Sequence, residues 1–225
     1  MPELWRVALI DSGLTDPVPW APIAACRFVD TGSEVVRAAA GIDPIGHGTH
    51  MARILYSAAP ALELMIGQVF DETGHTSPAT VAAAIHWAAT GRAHLIHMSL
   101  GLREDRSILA GAVAAAIAAH CIVVASTPSR GALTFPARYA GVIRATGDAR
   151  CAADEISALN TPQADYGACV RSPGCSKVGG ASIGAASLTG FIVAHRPAAS
   201  QADWVRTRLN AMAHYRGAER RSTAN

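Results

Sequence analysis

Three polar side chains of this sequence could together perform acyl transfer: the carboxylate of Asp11, the imidazole of His47 and the hydroxyl of Ser182. Each has a glycine one or two residues away. A serine hydroxyl becomes a good nucleophile only when a neighbouring base takes its proton, and histidine suits that task because its pKa lies near neutrality. A carboxylate can then orient the imidazole and stabilise its protonated form. The three residues are therefore a candidate nucleophile, general base and orienting group.

Each of these residues also has a common structural explanation when it is considered alone. Asp11 could occupy an ordinary turn after a strand, and Ser182 could be a helix N-cap. His47, between two glycines, could be incidental to the start of a helix. The combination of all three in one chain is what favours catalysis.

The elements that must position these residues alternate between strands and helices. We predict strands at Arg6–Ile10, Leu62–Val69, His94–Met98, Ile122–Ala125 and Val142–Ala145, and helices at His47–Ser57, Pro78–Thr90, Arg106–His120, Ile183–Ala194 and Ala202–Tyr215. This alternation is typical of an α/β domain with a largely parallel central sheet. Because reactive groups collect at the carboxyl ends of such strands and at the adjacent helix starts, one sheet edge could hold all three candidates.

Length and composition limit the possible classes of protein. With 225 residues, half of them apolar, we expect a single domain over residues 1–215, followed by a polar tail at 216–225. The formal net charge of +2 gives little support for nucleic acid or an anionic membrane as a partner. We find no uninterrupted apolar stretch of about 20 residues, and the first ten residues do not read as a signal peptide, so we expect a cytoplasmic protein.

The cysteines and histidines do not indicate a metal site or a cofactor. Five cysteines leave an odd thiol, so free thiols are expected in a reducing compartment, with a Cys169 to Cys175 bridge as the alternative. The pair His94 and His97 would lie on opposite faces of a strand. The adjacent acids Asp71 and Glu72 could bind calcium, but a solvated loop is the preferred interpretation. We therefore expect no metal.

The order Asp, His, Ser and the residues around it resemble the subtilisin family of serine peptidases. The similarity extends roughly from Val7 to Gly190. It implies a three-layer subtilisin-like fold with Asp11, His47 and Ser182 as the catalytic triad. These residues would act through an acyl-enzyme.

The segment Leu95-Ile-His-Met-Ser-Leu-Gly101 is similar to the strand along which these peptidases pair an extended substrate. The resemblance implies that Ser99, Leu100 and Gly101 contact a bound peptide by strand addition. The alternative is an ordinary buried strand, which would be equally apolar. His97 stands where the family usually has asparagine, and we interpret it as a core or pocket residue, not a base.

One departure concerns the stabilisation of the transition state. Family members have an asparagine after the strand that corresponds to Ile122–Ala125, and its amide donates to the oxyanion. Here no asparagine is present in that segment. Ungapped alignment places Ser129 at that position, and a small shift would place Thr127 there. We therefore expect a functional but slow enzyme.

The resemblance implies an intracellular serine endopeptidase, a hydrolase with a polypeptide substrate. Because small family members of this kind resemble peptidases that remove leader sequences, the narrower hypothesis is maturation of a dedicated substrate, such as a modified or cysteine-rich peptide with a leader. A pseudopeptidase that binds an extended peptide without cleaving it is the alternative. An esterase or transacylase with the same triad is a third hypothesis.

Overall fold

A computed structural model of the protein describes residues 4–15, 20–171, 180–196 and 202–218. Within these ranges the chain forms ten strands and five helices. The strands are β1 (Trp5–Asp11), β2 (Ala24–Asp30), β3 (Val35–Ala39), β4 (Leu62–Gln68), β5 (Leu95–Met98), β6 (Ile122–Ser126), β7 (Ile143–Gly147), β8 (Ile156–Ala158), β9 (Tyr166–Ala168) and β10 (Tyr215–Arg216). The helices are α1 (His47–Ala58), α2 (Pro78–Thr90), α3 (Ser107–Ala118), α4 (Gly180–Ala194) and α5 (Ala202–Met212).

All ten strands belong to one sheet in the order β10-β8-β9-β7-β6-β5-β1-β4-β2-β3. Seven neighbouring pairs are parallel, and two pairs, β2 with β3 and β8 with β9, are antiparallel. β1 lies near the centre, with Val7 opposite Leu64 of β4 and Leu95 of β5. The prediction of a mostly parallel sheet is confirmed.

Helices cover both faces of this sheet and give three layers. Val7 and Leu9 of β1 belong to an apolar cluster with residues of α1 and α4, whereas Ala8 and Ile10 belong to a second cluster with residues of α2 and α3. A strand that is buried on both faces needs apolar residues at every position, which explains the continuous apolar run of β1. None of the helices in the described ranges is long and apolar enough to cross a membrane.

The five predicted strands and five predicted helices all exist, and most of their ends differ from the prediction by one to three residues. Helix α2 begins at Pro78 as predicted. Ser77 caps it by accepting a hydrogen bond from the Thr80 backbone, and the Thr80 hydroxyl accepts from the Ser77 backbone in return. α5 ends at Met212 and not at Tyr215, because Tyr215 pairs with Ser157 of β8.

Sequence reasoning missed five strands: β2, β3, β8, β9 and β10. They are short or lie toward the ends of the sheet, and β3 is largely exposed. Residues 219–225 of the predicted tail lie outside the described residues.

Helix α4 approaches the end of β7 so closely that neither backbone has room for a side chain. A methyl group on Gly184 would lie 2.3 Å from the carbonyl oxygen of Thr146 and 2.5 Å from the Cα of Gly147. A methyl group on Gly147 would in turn lie 2.5 Å from the carbonyl oxygen of Gly180. Because the obstructing atoms are backbone atoms, a rotamer change cannot relieve these contacts.

We predict that Gly184→Ala lowers the free energy of unfolding by about 1–3 kcal/mol, because the added methyl forces α4 away from β7. Urea unfolding followed by circular dichroism measures this change. The matched control is Gly111→Ala in α3, where an added methyl meets nothing within 4 Å. That control should raise the free energy of unfolding by about 0.5–1 kcal/mol, because alanine has the higher helix propensity. Equal effects in the two variants would contradict the close-approach interpretation.

Candidate active site

Asp11 and His47 are hydrogen-bonded to each other at the carboxyl edge of the sheet. Asp11 is the last residue of β1, and His47 is the first residue of α1. The Asp11 Oδ1 lies 2.8 Å from His47 Nδ1, and it also accepts a hydrogen bond of 2.8 Å from the Ser12 backbone N–H. The carboxylate is 1% exposed, whereas the imidazole is 23% exposed. Asp11 is therefore fixed inside the protein, and the partly exposed ring of His47 leaves its other nitrogen, Nε2, outside this bond.

Close backbone contact and two hydrogen bonds fix the start of α1 beside the end of β1. Gly48 is required there, because an added methyl would lie 2.5 Å from the carbonyl oxygen of Gly13. The Gly48 N–H donates to Ser12 Oγ at 2.8 Å, and the Thr49 N–H donates to the Asp43 carboxylate at 2.9 Å. These bonds satisfy N–H groups that a helix leaves unpaired in its first turn. The position of His47 follows from this packing.

The charge of His47 responds to two carboxylates. Burial lowers the pKa of His47, but the hydrogen bond and charge of Asp11, together with the charge of Asp43, outweigh burial and raise the pKa above its ordinary value. Asp43 remains ionised because hydrogen bonds from Thr49, Ser12 and Gly46 overcome its own burial and lower its pKa. The arrangement stabilises an imidazolium at His47, as a general base requires after it accepts a proton.

Ser182 lies in the first turn of α4 and is partly buried. Its carbonyl oxygen accepts a hydrogen bond from Ser99 Oγ at 3.4 Å. Ser99 follows β5 and lines the same cavity as Asp11 and His47. The structure thus brings Asp11 and His47 into direct contact and connects Ser182 to the same edge of the sheet through Ser99.

A cavity of about 460 Å³ opens beside Asp11 and His47. Its walls include the apolar side chains of Ile45 and Phe70 and the carboxylate residue Glu72. This volume can admit a side chain of a bound molecule next to the imidazole.

In the part of the chain that the structure describes, no group of three or more His, Cys, Asp or Glu residues is arranged to hold a metal ion. Asp71 accepts hydrogen bonds from Thr73 and His75 of its own loop. Cys26, Cys121, Cys151 and Cys169 form no disulfide bond with one another. The alternative bridge to Cys175 involves a residue outside the described ones.

Comparison with protein families decides the affiliation of this chain. The model of the subtilase family (Peptidase_S8) matches residues 6–206, which include both the Asp11–His47 pair and Ser182. The chain belongs to the subtilase family.

Relatives of this subtilase include several proteases. It is 32% identical over 149 residues to the thermostable alkaline protease of Halalkalibacterium halodurans, a match that covers 61% of this chain and 40% of that protein. It is 31% identical over 112 residues to subtilisin Savinase of Lederbergia lenta, covering 45% and 42% of the two chains. A 37% identical match to the subtilisin-like protease het-Q2 of Podospora anserina covers 40% of this chain and 27% of the relative. The chain thus spans less than half the length of these relatives.

Solved structures show the same fold. Sphericase superposes with a TM-score of 0.67 at 19% identity, covering 93% of this chain and 83% of that chain. The S41 psychrophilic protease superposes with a TM-score of 0.65 at 20% identity, covering 92% and 82%. The predicted subtilisin-like three-layer fold is therefore confirmed.

The two candidate oxyanion donors of this subtilase differ in burial. Thr127, directly after β6, is 1% exposed, and its backbone N–H donates to the Ala145 carbonyl at 2.8 Å. Its Oγ1 has no hydrogen-bond partner among the described residues. Ser129, two residues later, is exposed. A buried hydroxyl without a hydrogen-bond partner is destabilising. We therefore expect a bound ligand or a water molecule to bond to Thr127 Oγ1.

The segment predicted to bind a peptide lies just beyond the end of β5. Ser99 and Leu100 are buried, and Gly101 is exposed. Leu102 then exchanges two backbone hydrogen bonds of 2.8 Å with Phe135. The segment is therefore held at both ends, by β5 and by the Leu102–Phe135 bridge.

Sequence reasoning missed two residues that build this site, Ser12 and Asp43. Asp43 receives N–H bonds from Ile45, Gly46 and Thr49. A signal for Asp43 existed, because an aspartate a few residues before a helix is a typical capping residue. Ser12 has no such signal, since its partner Gly48 comes from a distant part of the chain.

We predict that Asp43→Asn lowers the pKa of His47, because it removes a negative charge that favours the imidazolium. The amide oxygen replaces only one of the two carboxylate oxygens that accept N–H bonds in the wild type. The expected decrease is less than about one pH unit, since a charge without direct contact acts through a high effective dielectric. NMR titration of the His47 ring measures it. Asp11→Asn, which removes the direct partner, should cause the larger decrease. An unchanged or raised pKa in Asp43→Asn would contradict this electrostatic account.

Proposed function

We propose that this subtilase is a serine endopeptidase in which Ser182 is the nucleophile, His47 the general base and Asp11 the orienting carboxylate. The observation that carries the proposal is the 2.8 Å bond between Asp11 and His47 at the edge of the sheet to which Ser182, in the first turn of α4, is connected through Ser99. Family membership supports the same chemistry.

The proposed reaction follows from the tautomer of His47. Because Nδ1–H donates to the Asp11 carboxylate, Nε2 is free to take the proton of the Ser182 hydroxyl as Oγ attacks a peptide carbonyl. His47 then gives that proton to the leaving amine as the C–N bond breaks, and an acyl-enzyme remains. Water, deprotonated by His47, hydrolyses the ester and restores Ser182. The Asp11 carboxylate accepts the Nδ1–H bond throughout and stabilises the imidazolium.

A polypeptide is the substrate class that the surroundings favour. An extended chain can lie along Ser99, Leu100 and Gly101 by backbone pairing. One of its side chains can enter the cavity beside His47, whose walls combine apolar residues such as Ile45 and Phe70 with polar ones such as Glu72. Side-chain recognition next to the reacting bond would make cleavage selective.

For the side-chain oxyanion donor, Thr127 is the better supported of the two candidates. Its hydroxyl is buried without a partner among the described residues, so an oxyanion would supply the missing acceptor. Ser129 is exposed, and water would compete for its hydroxyl. A single hydroxyl in place of an amide supports the expectation of slow turnover.

The narrower proposal is that the enzyme processes a dedicated polypeptide in the cytoplasm, for example by removing a leader during maturation. Slow and selective cleavage suits such a role, and the absence of disulfide bonds among the four described cysteines fits a reducing compartment. A cysteine-rich or modified peptide is one candidate, as in the maturation of the small subunit of quinohemoprotein amine dehydrogenase. The altered oxyanion segment also favours one alternative, a pseudopeptidase that binds an extended peptide without cleaving it.

We predict that a fluorophosphonate probe labels the wild-type protein and not Ser182→Ala, because only an activated serine reacts with it. The matched control is Ser187→Ala, which removes a second hydroxyl from α4; Ser187 donates instead to the Cys169 carbonyl at 3.1 Å. The control should be labelled like the wild type. Intact-mass spectrometry measures the adduct.

Cleavage assays with the wild type, Ser182→Ala and Ser187→Ala distinguish an endopeptidase from a pseudopeptidase and from an esterase or transacylase. Incubation with polypeptides encoded beside the gene, followed by mass spectrometry, should reveal a cut that requires Ser182. Folded wild-type protein that binds peptides but is never labelled would favour the pseudopeptidase. Turnover of small esters without any peptide cleavage would indicate an esterase or transacylase.

We predict that Thr127→Val lowers kcat by about 10²-fold, near the lower end of the loss seen when the side-chain donor is removed from a subtilisin oxyanion site. KM should change little, because the hydroxyl acts on charge that develops in the transition state. Thr127→Ser, which keeps the hydroxyl, should retain most of the activity, and so should Ser129→Ala. If Ser129→Ala loses activity and Thr127→Val keeps the wild-type kcat, Ser129 and not Thr127 is the oxyanion donor.

A further inference from the structure

A buried histidine outside the proposed triad joins the sheet to helix α4. His97 lies in β5 opposite Leu9 of β1 and Val124 of β6, so it faces the layer that contains α1 and α4. Its side chain is fully buried. Nδ1 lies 2.8 Å from the hydroxyl of Thr189 in α4, and Nε2 lies 2.9 Å from the hydroxyl of Ser99. Both ring nitrogens are therefore used.

Only one assignment of donors and acceptors satisfies every hydrogen bond in this network. Ser99 donates its single proton to the Ser182 carbonyl at 3.4 Å, so its oxygen must accept from His97 Nε2–H. The His97 Nδ1 then carries no proton and accepts from the Thr189 hydroxyl. The direction of donation thus runs from Thr189 through His97 and Ser99 to the backbone of Ser182.

The imidazole in this network stays neutral. Burial, assisted by the positive charge that His47 can carry, lowers the pKa of His97 to about 3. His97 therefore cannot act as a second base or as a sensor of physiological pH. Its remaining capacity is to hold other groups in place.

The two contacts with α4 lie on one face of the helix. Ser182 and Thr189 are seven residues apart, which corresponds to nearly two turns and a distance along the axis of about 10.5 Å. Two contacts at this spacing fix both the rotation of a helix about its axis and its position along that axis. The rotation of α4 determines where the Ser182 side chain points.

We propose that His97 is a positioning residue that, through Thr189 and Ser99, sets the rotation of α4 and thereby the direction of the Ser182 hydroxyl. This inference rests on the proposed function, because it assigns a reaction geometry to Ser182. Reacting groups must be held to within about 0.5 Å, and small displacements are sufficient to slow a reaction severely.

The first test is spectroscopic and does not require activity. In ¹⁵N NMR of the folded protein with labelled histidine, His97 should show a protonated Nε2 and an unprotonated Nδ1, and it should not titrate between pH 5 and pH 8. A protonated Nδ1, or a titration in that range, would overturn the network.

The second test is kinetic and uses Thr189→Val, which keeps the shape of the side chain and removes its hydroxyl. We expect the rate constant for fluorophosphonate labelling, and kcat for a cleaved peptide, to fall by about tenfold or more with KM nearly unchanged. His97→Phe should show a similar loss, and the double variant should be no worse than His97→Phe alone, because both changes break one connection. Unchanged kcat in Thr189→Val, or additive losses, would overturn the proposal.

A stability control separates positioning from general destabilisation. Leu109→Ala removes a fully buried side chain from α3 on the opposite face of the sheet and should destabilise the fold while leaving α4 in place. At a temperature where all variants are folded, Leu109→Ala should keep the wild-type kcat, whereas an equal loss of kcat in this variant would overturn the positioning role. If the wild type itself is neither labelled nor active, the proposed function fails, and the NMR result still decides the hydrogen-bond network.

Discussion

Backbone contact without an intervening side chain is the constraint on which the site depends. The start of α1 lies against the end of β1 because Gly48 has no Cβ to meet Gly13, and α4 lies against the end of β7 because Gly184 has none to meet Thr146. Each contact brings a helix N-terminus directly onto the carboxyl edge of the sheet. Gly48 and Gly184 therefore act as packing residues that fix the two helices.

The predictable part of the fold is the part that is buried on both faces. The strand Trp5–Asp11 and its parallel neighbours are apolar at most of their buried positions, and this pattern is visible in the sequence. A strand such as Val35–Ala39 has no comparable signature, because it is largely exposed and depends on pairing with a distant segment. The short strands Ile156–Ala158 and Tyr166–Ala168 carry too few residues to show a period. Long-range pairing, not local preference, creates these elements.

The candidate site also contains residues that could be predicted from the sequence and residues that could not. Asp11, His47 and Ser182 could be selected from residue types and glycine neighbours, since their chemistry demands particular side chains. The groups that hold them could not, because their partners are distant in the chain: Ser12 bonds Gly48 over 36 residues. His97 bonds Thr189 over 92 residues. Choosing between Thr127 and Ser129 likewise required burial, which alignment by position does not provide.

Two histidines of the candidate site are shifted in opposite directions by their surroundings. Carboxylates at Asp11 and Asp43 raise the pKa of His47, whereas full burial without a carboxylate partner lowers the pKa of His97 to about 3. A cation at His97 would repel the imidazolium that the proposed reaction forms at His47, so the proposed reaction requires a neutral His97. The same ring chemistry would then serve proton transfer at one position and rigid hydrogen bonding at the other. Because the two pKa values are shifted in opposite directions, His97 does not compete for a proton with His47, the proposed general base.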